Sequence, residues 1–388
     1  MLMDRRREMG CKDGLAGWDG DLSMVSPLGK KLSSRETANC YVIWKTGTYR
    51  FPLVYGCAII NDSVNSAAYT QVSGSYTAPF YNGLRSGITS PFIETDINKT
   101  IDAYPSAMTD SSNFTITNTH LINGTVAGQS CRFVEFTVTQ IPPLGGNALI
   151  QVQYNGQTEW SWHIWAYPPG LSTFSHTNTN GYTYNFLNVN LGWVKSSASS
   201  KYGTCPFYQW GRKDPFLRSG ATGTWRFYTA STATYVSYGI NEPTTFYIGS
   251  SSYNYNWVKR TYFYNYWDAS STGTGATDKT VVKTVYDPSP VGFTVPCGNA
   301  FLGFSKDNGG TWDSGRTWDG NYFPAAGYRY SSSGGINYVG SRGYYWLASS
   351  YSQLGAYRLN FSSENVSPQY GNYRAYGFSV RPVARPQI

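Results

Sequence analysis

The feature that most constrains this chain is a hydrophobic alternation of period two, punctuated by Gly, Pro and Asn. Val134, Phe136 and Val138 alternate with polar neighbours, and so do Ile150, Val152 and Tyr154, with Pro142-Pro-Leu-Gly-Gly146 between the two runs. Trp160, Trp162 and Ile164 alternate with Ser161, His163 and Trp165 shortly after Asn155-Gly156. Successive side chains of a strand point to opposite faces, so these runs predict half-buried antiparallel strands. Residues 40–44 and 49–55 are two more extended runs, expected to form a hairpin across Lys45-Thr-Gly-Thr48. Leu/Ala/Glu/Lys-rich helical tracts are nearly absent, and only 13% of the residues are charged, which favours strands and loops. Residues 37–168 are therefore expected to form an all-β N-terminal sandwich.

Pro168-Pro-Gly170 ends that pattern. Residues 169–183, rich in Ser, Thr, Asn and Gly, are expected to be a linker, and residues 1–36, with mixed charge and no periodicity, a poorly ordered leader. From 184 to 385 the sequence is aromatic and irregular. It predicts short strands and long structured loops, with short helices near 199–210 and 297–304, hence an α+β unit. A chain of 388 residues is long enough for both units.

Several chemistries are excluded by what is missing. The net charge is +8, but the basic residues are scattered and form no stripe, so nucleic acid is not the expected partner. No apolar run reaches the roughly 18–20 residues needed to span a bilayer. Residues 1–11 lack the apolar core of a secretory signal. The expected destination is a cell surface, the extracellular space or a phage virion, reached by another route or from a start that lies upstream. Cys11, Cys40, Cys57, Cys131, Cys205 and Cys297 contain no C-x-x-C and are read as buried small hydrophobes. Cys40 and Cys57 are close enough in sequence to pair if the chain is exported. His163, inside an aromatic strand, is read as structural. No G-x-S-x-G, H-E-x-x-H or P-loop is present, and no convergent carboxylate pair can be placed, so no catalytic residue, metal or cofactor is assigned.

The C-terminal segment 351–376 is made of the residue types that binding surfaces favour. Tyr351, Tyr357, Tyr370, Tyr373 and Tyr376 offer rigid contact area, while Ser352, Ser367, Asn365 and Asn372 offer adaptable hydrogen bonds. Its one acid is Glu364, too little for a calcium site. Tyr357, Leu359 and Phe361 alternate, as do Phe378 and Val380. Trp346, Leu359, Phe361 and Phe378 are therefore the expected scaffold. Tyr351, Leu354, Tyr357, Ser367, Tyr370, Asn372, Tyr373, Arg374 and Tyr376 are the expected ligand contacts.

Motifs along the chain carry a family resemblance. Thr37-Ala-Asn-Cys-Tyr-Val-Ile43, Phe51-Pro-Leu-Val-Tyr-Gly56 and Trp160-Ser-Trp-His-Ile-Trp165 resemble the sandwich module of many Bacteroides-type surface proteins. Phe207-Tyr-Gln-Trp-Gly-Arg-Lys-Asp-Pro-Phe216, Asp287-Pro-Ser-Pro-Val-Gly-Phe293, Phe323-Pro-Ala-Ala-Gly-Tyr328, Tyr344-Tyr-Trp346 and Gly377-Phe-Ser-Val-Arg-Pro-Val383 resemble the fimbrillin-associated "major paralogous domain" family. That family is similar to the C-type-lectin/formylglycine-generating-enzyme fold. The resemblance implies a C-type-lectin-like domain over 184–385. The oxidising enzymes of that fold use paired cysteines near the C-terminus, and this chain has none after Cys297.

The frame Trp346…Leu359-Asn-Phe361…Pro368…Arg374…Gly377-Phe378 also resembles retroelement-diversified variable proteins, in which rewritten Asn codons yield types such as those at Tyr351, Leu354, Gly355, Ser367, Tyr370, Gly371, Asn372, Tyr373 and Tyr376. Together these imply a non-enzymatic recognition or adhesion protein that binds a protein or carbohydrate ligand on a cell surface, carried by a bacterium or a phage. The alternative is a structural fimbria-associated subunit. Ser305-Lys-Asp307-Asn-Gly309-Gly-Thr311-Trp312 matches the Asp-box of sialidases but occurs once, and is read as a tight turn with a packed Trp.

Overall fold

The computed structural model describes residues 20–70, 80–93, 103–253, 255–259 and 263–386. Strand makes up 41% and helix 4% of the structure, so the protein is mostly β-sheet. Seven strands build the two larger sheets of the first half: β1 (Cys40–Ile43), β2 (Gly47–Pro52), β3 (Ala103–Thr109), β4 (Thr115–Val126), β5 (Gln129–Gln140), β6 (Gly146–Tyr154) and β7 (Gln157–Ala166). They form one sheet of order β1-β7-β6-β3 and another of order β2-β5-β4. Between the sheets, the Phe51 ring lies 5.0 Å from Tyr41 and 4.9 Å from Trp162. The β6–β7 hairpin turns on Asn155-Gly156, both left-handed with φ of 48° and 74°, a two-residue turn whose twist suits antiparallel strands.

The expected hairpin of residues 40–55 does not form. β1 pairs in parallel with β7, and β2 pairs with β5 in the other sheet, so the 44–46 segment is a corner between sheets. β7 is also not half-buried: every residue from Thr158 to Ala166 is buried. The C-terminal half covers its second face. Ser161 Oγ donates to Asp214 at 2.7 Å, Lys213 Nζ donates to the Ser161 carbonyl at 2.9 Å, and Trp165 Nε1 donates to the Trp193 carbonyl at 3.0 Å. His163 Nε2 bonds Asn147 Oδ1 at 2.8 Å, and the Tyr208 hydroxyl approaches its Nδ1 at 3.4 Å. One apolar cluster thus runs from Leu22 to Val383.

Other boundaries move as well. Residues 20–36 pack onto the sandwich instead of forming a loose leader: Leu22 and Val25 are buried, Arg35 pairs with Asp21 at 3.0 Å, and Glu36 pairs with Arg385 at 2.6 Å. Residues 1–19 of the expected leader lie outside the described residues. Part of the expected linker is strand β8 (Thr173–Thr177), paired with β9 (Thr183–Leu187). β9 in turn pairs with Val383–Ala384, which also pairs with Phe293–Thr294. The segments 199–210 and 297–304 hold turns and short strands, not helices. Among the described residues the α-helix is α1 (Val236–Asn241). Cys40 and Cys57 are separate buried thiols, and burial pushes Cys57 up to about 12. Cys11 lies outside the described residues. Among the described residues no helix is long and apolar enough to cross a membrane.

The segment of interest sits on a three-stranded antiparallel sheet of β10 (Gly343–Ser350), β11 (Gly355–Phe361) and β12 (Val366–Tyr373), in that order.

Candidate binding surface

β10 is buried along its whole length, whereas β12, at the edge, keeps Tyr370 and Tyr373 exposed. Alternation in β10 and β11 produces two packed faces. On one, Tyr345 stacks on Phe361 at 5.9 Å and reaches Phe301 and Phe323, with Leu359 opposite it. On the other, Trp346 packs on Phe378 at 4.3 Å and donates through Nε1 to the Tyr208 carbonyl at 2.8 Å. Trp346, Leu359, Phe361 and Phe378 are all buried. The strands between which the loops hang are therefore held from both sides.

The expected contact residues do not form one patch. Tyr351, 53% exposed, stands edge-on to the half-buried Tyr357 at 5.2 Å and lies over Gly371. Tyr373, 43% exposed, meets Tyr255 at 5.0 Å. Tyr370, 58% exposed, lies across the Arg358 guanidinium, 5.2 Å from ring centroid to Cζ. Tyr376 is half-buried and stacks on Phe378, with Tyr328 and Tyr330 against its edges. Leu354, Ser367 and Asn372 are half-buried at the rim, and Asn372 turns its Oδ1 back to the Tyr373 amide at 2.8 Å.

Arg374 is a correction. It is buried, so it is not a surface contact. Its Nη1 donates to the Phe263 carbonyl at 2.7 Å and its Nη2 to Ser350 Oγ and the Ser352 carbonyl, both at 3.2 Å, while the guanidinium lies 4.4 Å from the Trp210 ring. It ties the end of β10 to the core.

Sequence reasoning missed the neighbours of Tyr370 and Tyr376. Tyr328 touches Tyr338, Tyr344 and Tyr376 at 5.6, 5.1 and 5.3 Å, and Arg342 lies 4.6 Å from the Tyr338 ring. Burial, then the crowding of neighbouring tyrosines, pushes the Tyr328 phenol up to about 12. The signal was the run of tyrosines at 328, 330, 338 and 344, outside the segment whose composition attracted attention. The surface is thus a set of phenol rings and hydroxyls backed by guanidinium groups.

Gly371 limits how freely the segment can vary. A Cβ there would run into the Tyr351 ring, and one at buried Gly355 would come within 2.8 Å of the Asn372 carbonyl oxygen. Gly371→Ala is expected to push Tyr351 off Tyr357 while changing stability by less than about 1 kcal/mol, because an exposed ring can yield. A denaturant midpoint together with the loss of the Tyr351–Tyr357 cross-peak in a proton NMR spectrum checks this.

Among the described residues no group of three or more His, Cys, Asp or Glu is placed to hold a metal ion. Asp313 is engaged by Lys201 at 2.5 Å and Asp319 by His176 at 2.8 Å. The Asp-box segment is a turn, and its Trp312 stands edge-on to Phe361 at 6.4 Å. A cavity of about 230 Å³ lies elsewhere, between residues 80–85, α1 and residues 263–286, with Phe80, Tyr81, Tyr235, Ser237, Phe263 and Asn265 among its walls. The wall residues described include no carboxylate.

By fold and surface, this is a β-rich protein that holds a tyrosine-bearing sheet edge on a fixed aromatic frame. Residues 312–383, which include β10, β11 and β12, match a family model described as "Domain of unknown function (DUF8237)". Comparisons with curated proteins and with solved structures found no match.

Proposed function

We propose that the protein is a non-enzymatic recognition protein that binds a protein or glycan ligand on a cell surface through the 351–376 face and the tyrosines beside it. The observation that carries this reading is the contrast within one small sheet. Tyr351, Tyr370 and Tyr373 are exposed, while Trp346 on β10 and Leu359 and Phe361 on β11 are buried. Exposed rings held on a buried frame suit recognition, because Tyr is among the residue types enriched in binding hot spots. In this reading residues 184–385 form a C-type-lectin-like head of the fimbrillin-associated kind. Its first and last strands lie side by side, which supports treating it as a closed unit. The carrier is a bacterial surface adhesin or a phage receptor-binding protein.

Retroelement diversification belongs to the same proposal. Exposed Tyr351, Tyr370 and Tyr373 fit it, whereas buried Gly355 does not. A near-copy of the 3′ end of the gene, altered only at adenines and lying beside a reverse transcriptase, tests that part. Its absence from the locus, with a fimbrial operon in its place, favours the structural subunit.

Binding is tested with the full chain on immobilised glycans and on whole bacterial cells, against a triple Tyr351/Tyr370/Tyr373→Ala variant. The wild type is expected to bind saturably. The variant is expected to lose at least about 100-fold in affinity, since hot-spot tyrosines each contribute about 1–2 kcal/mol. Its stability should change little, because the removed rings are exposed. Absence of wild-type binding, or full binding by the triple variant, overturns the reading.

A further inference from the structure

Six arginines are buried among the described residues: Arg212, Arg316, Arg329, Arg358, Arg374 and Arg381. Five of them use their guanidinium groups as structural donors. Arg212 bonds the Thr245 and Gly239 carbonyls, Arg316 those of Ser362 and Ser363, and Arg329 those of Leu217 and Gly334. Arg381 bonds Asn190 Oδ1 and the Leu187 and Tyr322 carbonyls, and Arg374 has the three acceptors described above. Arg358 is different. It is 7% exposed, yet its Nε and Nη1 have no hydrogen-bond partner. What surrounds it is aromatic: the rings of Tyr344, Tyr370 and Phe378 lie 4.8, 5.2 and 5.6 Å from Cζ. The charges and phenols that influence it are Tyr344, Tyr370, Tyr376 and Arg342, with no carboxylate among them. A guanidinium has five donors in a planar fork, and ring faces satisfy its charge without satisfying those donors.

Two residues further along the same strand, buried Asn360 Oδ1 is also without a partner. Residues i and i+2 of a strand share a face and lie about 7 Å apart. Two orphan donors and an orphan acceptor therefore belong to alternate residues of one strand, on the Tyr344 side of the sheet. Tyr370 is the exposed member of the set, and exposed side chains change rotamer in nanoseconds or less.

Resting on the recognition role proposed above, we infer that Arg358 receives the carboxylate of an acidic saccharide, whose ring takes the place of the Tyr370 side chain while Asn360 accepts from a neighbouring hydroxyl or amide. Arg matches a carboxylate with two parallel hydrogen bonds, which none of the rings now around it can supply. A saccharide is favoured over an acidic peptide because the walls are flat aromatic faces suited to a sugar ring, and because an orphan acceptor for a hydroxyl or amide lies two residues along the same strand face.

The test uses the full chain, free glucuronic acid and N-acetylneuraminic acid as probes, glucose as the neutral control and an N-acetylated aspartate amide as the peptide mimic, with affinities measured by titration calorimetry. Saturable binding of at least one acidic sugar is expected, at least tenfold tighter than glucose, falling at least tenfold in Arg358→Met and in Asn360→Leu. Arg358→Met should keep or raise the denaturant midpoint, since it removes buried N–H donors that have no hydrogen-bond partner and leaves an apolar chain among the same rings. A clear drop in that midpoint would mark Arg358 as a structural group and overturn the inference. So would binding unaffected by Arg358→Met, absence of acidic-sugar binding, or preference for the aspartate amide. These outcomes are independent of the triple tyrosine experiment on cells. A protein that binds cells through its tyrosines but ignores both acidic sugars retains the recognition role and loses only this site.

Discussion

Arg374→Ala is expected to destabilise the protein by about 3–5 kcal/mol, with a matching fall in the urea midpoint at unchanged slope. Three acceptors would lose their donor at once, namely the Phe263 and Ser352 carbonyls and Ser350 Oγ. Hydrogen bonds to a charged group contribute about 1.5–3 kcal/mol each, and a buried acceptor left alone costs about 1–3 kcal/mol. The variant also opens space beneath Trp210, over which the guanidinium now lies. Relief from burying a charge, which lowers the Arg374 guanidinium to about 10, offsets part of the loss but restores none of the three bonds. Arg374→Lys should recover little, because an ammonium on a single stem cannot reach acceptors spread over residues 263, 350 and 352. A variant as stable as the wild type would mean that the end of β10 is not anchored through this side chain. The contrast with Arg358→Met, for which no loss is expected, makes the two arginines controls for one another.

The second large effect is acid sensitivity centred on His163. Burial lowers its pKa to about 3, from an ordinary value near 6.5. Asn147 Nδ2 donates to Asp110 Oδ2 and to the Gly192 carbonyl, so Asn147 Oδ1 accepts from His163 Nε2–H, which fixes the neutral tautomer. The unfolded chain binds a proton below about pH 6.5, and the folded chain resists it until about pH 3. Between those values the unfolded state holds more protons, so stability falls as pH falls. Each unit below 6.5 costs about 1.4 kcal/mol, or roughly 3 kcal/mol by pH 4.5. Burial also raises the Asp110 carboxyl, which acts in the opposite sense as pH falls toward its ordinary carboxylate range. A His163→Gln variant separates the two, since Gln can keep the bond to Asn147 and cannot titrate. Stability measured by denaturant at pH 7, 6, 5 and 4.5 should fall more steeply for the wild type than for His163→Gln. Equal slopes would remove His163 from the account.

The strands were legible wherever a local rule decided them. Asn155-Gly156 sets a two-residue turn and joins adjacent antiparallel strands, and the alternation through Tyr357, Leu359 and Phe361 marks the inner face of β11. Pairing partners were not legible at Lys45-Thr-Gly-Thr48, because the same turn residues suit a hairpin and a corner between sheets. What decided the matter was β7, far along the chain, which claims β1. A half-buried strand left Ser161 on an open face and His163 structural without a named partner, and distant Asp214, Lys213, Tyr208 and Asn147 supply their hydrogen bonds. Arg374 misled for the same reason: an arginine in a Tyr/Asn run looks like surface charge until its three acceptors are brought in from elsewhere. Arg358 stayed hidden because the alternation that puts Leu359 inward places Arg358 outward, and only the fold puts Tyr344 and Phe378 over that outward face.

The second covering of β7 has a mechanical consequence. Halves joined by an exposed tether would swing, and a bound target would have to be held against that swing. Here Trp165 is bonded to Trp193, and Ser161 to Lys213 and Asp214, all inside a buried joint between the sandwich and the tyrosine-bearing half. A pull applied at Tyr370 would pass as shear through the buried strands to the sandwich, and the face would keep its angle to whatever carries residues 20–36.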